Sequence, residues 1–152
     1  MDHSQRAAAT MQVLRHTVDR DADAAMDLMA EIFAFSDHTQ MYGVCVGLAE
    51  AAHTALKNVY GQPGPETVWA LAAPDPGSGP QHPAHVFSLR FLAAYANGDT
   101  AMCRALFGTT LSAAPHDFQH SVIALLGDAA RLVRWSLEER AAGQDEPAPH
   151  PH

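Results

Sequence analysis

The chain has 152 residues, 47% of them hydrophobic and 17% charged, and a formal net charge of −8. That is one domain's length with enough apolar side chain for a core, which excludes a disordered chain. The acidity argues against a nucleic-acid binder, which needs a basic face for phosphates, and disfavours an anionic membrane surface.

Lys57 is the only lysine against eight arginines and many alanines, a bias that points to a GC-rich bacterial genome. No apolar run reaches the length of a membrane span. The start, MDHSQRAAAT, lacks the basic region and apolar core of a signal peptide. A soluble, cytoplasmic bacterial protein is expected.

Residues 4 to 18 read as a first helix with Ser4 as N-cap and Ala7, Met11, Leu14 and Val18 on one face. Asp21 caps a second helix, about 22 to 36, that turns Ala25, Met26, Met29, Ile32, Phe33 and Ser36 inward. Asp23, Asp27 and Glu31 line another of its faces at spacings of four. These acids form a solvated surface, or are answered by an arginine or a cation.

Thr39 to Tyr60 is expected to be the central helix. Met41, Cys45, Leu48, Ala52, Ala55 and Val59 form one face, and Val44, Val46, Ala49, Ala51 and Leu56 widen it. Gly43 and Gly47, four apart, leave a smooth patch for close approach of a neighbouring helix, within the chain or from another subunit. Cys45, like Cys103 further on, sits mid-helix among apolar neighbours, and no redox role is expected of either.

Gly61-Gln62-Pro63-Gly64-Pro65 ends this helix. Pro65 can open a short helix through Glu66, Val68, Trp69 and Leu71; a strand at 67–72 would lack a partner. Residues 73–83 are the longest irregular stretch. Pro83 opens the next helix, which ends at Asn97-Gly98 and holds a single charge, Arg90. Asp99 caps a helix to about Ser112, with Met102, Cys103, Leu106, Phe107, Thr110 and Leu111 inward. The last helix, about 116 to 141, carries the stripe Phe118, Val122, Leu125, Ala129, Leu132 and Ser136, flanked by Leu126, Val133 and Leu137. After Gly143 the tail DEPAPHPH is expected to be disordered.

The fold class is therefore all-α. A single-domain helical bundle of five to six helices in antiparallel α-hairpins, without significant sheet, is expected over residues 1–142, with 143–152 as the tail. The turn Asn97-Gly98-Asp99, with Phe87, Phe107 and the closing Pro115, resembles one degenerate tetratricopeptide unit across about 32 residues. Arg90 stands where that repeat prefers leucine and Cys103 where it prefers alanine. No second copy follows at a period near 34, so the resemblance implies helix-hairpin geometry only.

Two patterns echo metal sites. His116-Asp117-Phe118-Gln119-His120 resembles HExxH with Asp for Glu, but Glu138 and Glu139, the downstream acids, lie about 27 Å along the same helix. Glu50-Ala51-Ala52-His53 matches the ExxH of di-iron bundles, with Asp117 to His120 as an imperfect second copy and Glu31 as a bridging acid. Against it, residues 84–97 offer no carboxylate and carry Arg90. His82, His85, His150 and His152 are expected to face solvent, and no cofactor is expected.

Arg90 poses the sharpest question. An unpaired guanidinium in an apolar helix is too costly to bury, so Arg90 is expected to pair with Glu50 or Glu31, with His53 nearby. Such a pair fixes helix register, or forms a pocket about Arg90 and Trp69 for a small anionic ligand. With no phosphate loop, no nucleophile elbow and no cysteine beside a base, a non-catalytic protein-interaction or regulatory module is expected, with a protein partner or self-association through a helix face. A metal-dependent enzyme and a small-ligand sensor are the alternatives.

Overall fold

The computed structural model describes residues 1–61, 66 and 82–145, and in them six helices and no strand. They are α1 (His3–Val18), α2 (Ala22–Ala34), α3 (His38–Tyr60), α4 (Pro83–Ala96), α5 (Thr100–Leu111) and α6 (Pro115–Asp145). Residues 62–65 and 67–81, with Trp69 and most of the expected loop, lie outside the described residues, as does the tail from 146. Glu66 is helical and exposed.

Local sequence sets most of the boundaries. Asp37 accepts the Gln40 N–H at 2.8 Å while the Gln40 side chain answers the Asp37 N–H, a capping box that starts α3. Asp21 and Asp99 cap α2 and α5 as expected, and Pro83 occupies the first turn of α4. The cap of α1 is Asp2 and not Ser4, because Gln5 stands three residues after Asp2 and completes a second capping box.

The ends of α1 and α4 close in the same way. The Asp21 N–H reaches the His16 carbonyl and the Arg20 N–H the Thr17 carbonyl. In α4 the Asp99 N–H reaches Ala94 and the Gly98 N–H reaches Tyr95. Both turns need a left-handed residue: Gly98 takes φ 71° without strain, whereas Arg20 takes φ 64° with a side chain attached. The second turn joins α4 to α5 as the expected hairpin.

α3 shares the centre with α6, and each of the two touches α1, α4 and α5 as well as the other. One continuous core runs through Val13, Ile32, Leu48, Leu56, Phe91, Val122, Leu125 and Leu132. Tyr60 stacks on Trp135 with ring centroids 5.5 Å apart and pins the end of α3 to α6. No described helix is long and apolar enough to cross a membrane.

One expected face is rotated, and three others each lose a residue to solvent. α1 buries Arg6, Ala9, Thr10, Val13 and Leu14, leaving Ala7 and Met11 exposed. Met26, Met102 and Leu137 also face out. In α1 two polar residues replace two apolar ones inside, because each finds a hydrogen bond there. Thr10 bonds back to the Arg6 carbonyl at 2.8 Å, and Arg6 reaches α2.

Candidate functional site

On α4, Phe87, Ser88, Leu89, Phe91 and Leu92 are all buried, so neighbours cover the helix on most sides. A strip at Val86, Arg90, Ala93 and Asn97, spaced by four, three and four, stays accessible, and His85, Tyr95 and Ala96 are half-buried beside it. Arg90 lies on that strip. The expected buried ion pair is corrected: Arg90 is exposed and makes no ion pair or hydrogen bond with a described residue. A guanidinium on an open strip keeps its water and needs no carboxylate.

Arg90 instead lines a cleft of about 550 Å³ between α4, α5 and the start of α6. Ala84, Phe87 and Leu106 supply apolar wall; His82, Thr109, Thr110, Asp117 and Ser121 supply polar atoms. Thr110 and Ser121 are 8% and 7% exposed, and neither hydroxyl bonds a described residue.

The other named residues do not converge on it. Glu31 is exposed on α2. Glu50 lines a different groove, beside Met11, Thr54, Leu137 and Arg140. His53 lines a third recess, of about 500 Å³, with Tyr42, Tyr95, Asp99 and Arg104, and its ring meets Tyr95 edge-on at 5.9 Å. Trp69 lies outside the described residues.

Neither metal pattern assembles. Among the described residues no three His, Cys, Asp or Glu side chains sit close enough to hold an ion. Glu31 and Glu50 project to solvent from separate helices, so the di-iron set cannot close. His116 and Asp117 contact each other at 3.2 Å, both well exposed. His120 packs edge-on between His116 and His82, with centroids 5.8 and 6.4 Å away. His82 Nδ1 accepts the Ala84 N–H at 3.1 Å, which leaves the ring proton of a neutral His82 on Nε2, where a ligand would need a lone pair.

Two buried charges escaped the sequence reading. Arg6, 6% exposed, donates from Nε to Ser36 Oγ at 2.8 Å and from one terminal nitrogen to the carbonyls of Met1 and Phe35 at 2.9 and 3.0 Å. It closes the C-terminal end of α2, where a cation suits both the free carbonyls and the dipole. Arg134 does the same for α1 through the Thr17 and Val18 carbonyls.

Asp128, also 6% exposed, meets Arg131 at 2.8 Å and His85 Nδ1 at 3.0 Å. Burial pushes its carboxyl above the usual range, and Ser88, His85 and Arg131 draw it part of the way back. Neither Ser88 Oγ nor Asp128 Oδ2 completes a well-aligned hydrogen bond, so the carboxylate is underserved. Serine, histidine and aspartate meet here without forming a nucleophilic triad. Asp128 contacts both partners, and Ser88 is fully buried, out of reach of any substrate. The signal was present in the spacing, since Asp128 lies three residues after Leu125 and four before Leu132, on the core stripe itself.

Cys45 is buried and its thiol is pushed up to about 12; burial, then Asp99, raises Cys103. Both stay protonated at neutral pH.

Compared with protein-family models, curated proteins and solved structures, the chain matches none.

Proposed function

We propose that the chain is a non-catalytic interaction module whose working surface is the groove along α3, and that the groove takes a helix with an apolar face. The observation that carries this is the floor of the groove. Gly43, Gly47, Ala51 and Ala55 follow one another at intervals of four, and two adjoining hollows of about 350 and 460 Å³ run beside them from Thr39 to Asn58. That span is about 28 Å of helix, five turns long. A Cβ added at Gly43 would meet nothing within 4 Å, and one at Gly47 only Thr10 Cγ2 at 3.7 Å, so α1 fills little of the space. Met11 and Leu137, 40% and 50% exposed, stand along it as apolar contacts. Small residues below and apolar residues beside are what a helix-in-groove contact uses.

The reading without catalysis is supported by the sealed Ser88 and the two protonated thiols. Composition supports a cytoplasmic, bacterial setting.

A photo-crosslinking residue at Thr54, inside the groove, tests the reading in the producing cells, with the exposed Glu31 of α2, which does not line the groove, as control. The expected result is one discrete adduct from position 54, mapping to a helical segment and lost when Gly47→Trp fills the groove. Absence of an adduct, or the same adducts from both positions, overturns it. Light scattering over a concentration series identifies the occupant as a second copy if mass doubles and Gly47→Trp prevents the doubling.

A further inference from the structure

We propose that the cleft holding Arg90 is a binding site for a small organic carboxylate, a monoanion with an apolar or aromatic body. The site is separate from the α3 groove, and its occupancy does not depend on what that groove binds.

The donors come first. Arg90 has no protein acceptor among the described residues and lines the open side of the cleft. Leaving an arginine fork unsatisfied beside apolar surface is unusual unless water or a ligand answers it. Thr110 and Ser121 sharpen the point. A helical serine or threonine commonly bonds back to the carbonyl four residues earlier, as Thr10, Thr17, Thr109 and Ser136 do here. Thr110 and Ser121 do not, although each is more than nine-tenths buried, and both line this cleft. Neither hydroxyl oxygen is sealed from the cleft, so an acceptor bound there can take both.

The acceptor's chemistry follows from what surrounds the donors. One guanidinium matches one carboxylate, through two parallel hydrogen bonds. Asp117 lines the same cleft and repels a second negative charge, which disfavours a phosphate dianion. The volume of about 550 Å³ far exceeds a bare anion. Phe87, Leu106 and Ala84 give the remainder of a ligand an apolar wall, the usual composition of a small-molecule site.

Binding of benzoate and hexanoate to the purified full chain, followed by NMR titration, tests this against benzamide, hexanamide and inorganic phosphate. The expected result is saturable binding of at least one carboxylate with shifts at Phe87, Thr110 and Ser121, and binding of its amide at least tenfold weaker. Arg90→Met should weaken the carboxylate roughly ten- to hundredfold, as loss of a charged hydrogen bond does. Because Arg90 is exposed and unpaired, that variant folds. Thr110→Val should cost roughly two- to tenfold. The proposal is overturned by no saturable binding of either acid, by equal binding of acid and amide, by tighter binding of phosphate, or by an unchanged affinity in Arg90→Met.

Discussion

Arg6 and Asp128 are equally buried and opposite in charge, and the fold treats them differently. Arg6 has no carboxylate partner among the described residues, yet its fork meets a hydroxyl and two carbonyls at 2.8 to 3.0 Å. Asp128 has an arginine and a histidine against it and still keeps an oxygen without a well-aligned donor. Ion pairing and satisfaction are therefore separate matters. A guanidinium aimed at helix-end carbonyls relieves groups that were orphaned anyway, whereas a carboxylate between helices must bring its donors from side chains.

The sharpest way to break this contrast is Arg6→Met. It keeps the stem's volume and removes every donor, so the Phe35 carbonyl and the half-buried Ser36 hydroxyl lose charged partners that water replaces only in part. A loss of about 2–4 kcal/mol in urea denaturation is expected. Arg6→Lys should recover less than half, since an ammonium cannot span Ser36 on one side and Met1 and Phe35 on the other. A loss below about 1 kcal/mol would make Arg6 an ordinary surface residue.

Of the two buried charges only Asp128, on the stripe between Leu125 and Leu132, left a mark in the spacing, while the helix limits were largely legible. Asp21, Asp37, Asp99 and Pro83 act on the backbone within three residues of themselves, so local sequence suffices to place them. Arg6 depends on Ser36 and Phe35, thirty and twenty-nine positions away. No periodicity in α1 announces a carbonyl waiting there, and an arginine therefore reads as solvent-facing. Arg90 misled in the opposite direction. Its helix is apolar on nearly every side, so the composition implies burial, yet the one fully exposed position between Ala84 and Ala96 is 90. The cleft was invisible for the same reason, because Thr110 and Ser121 come from different helices and each looks like a routine helical hydroxyl.

Removing His85 should cost less than removing Arg6. His85→Ala takes away one of the groups that favour the Asp128 carboxylate, and a loss of about 1 kcal/mol is expected. The effect should vanish in an Asp128→Asn background, which a double-mutant cycle checks directly. A cost that survives in that background would assign His85 to packing alone.

Asp128→Asn should go the other way. The folded carboxyl titrates above its unfolded value of 3.8, so the native state binds more protons between those two points. Stability thus falls as pH rises through that window, and the penalty is complete above it. Replacing the carboxylate at pH 7 should be neutral or stabilising by up to about 1 kcal/mol. The variant's stability should also be flatter than that of the parent chain from pH 4 to 7. A loss of more than about 1 kcal/mol at pH 7 would mean that His85 and Arg131 satisfy Asp128 fully, and the contrast with Arg6 would collapse.

The smallest expected effect belongs to the residue that looked most consequential in the sequence. Arg90→Met should change stability by no more than about 0.5 kcal/mol, since an exposed guanidinium without a protein partner loses nothing by its removal. Set beside Arg6→Met, this separates two arginines by surroundings alone: one completes the fold, the other is left over by it. A chain that buries one guanidinium among three acceptors and leaves another facing two unbonded hydroxyls has spare donors at a single cleft. If Arg90→Met destabilised the chain as much as Arg6→Met, the guanidinium would be structural and the cleft would lose its principal donor. If stability is unchanged while carboxylate binding falls, the two arginines divide between them the work of holding the fold and of recognising a ligand.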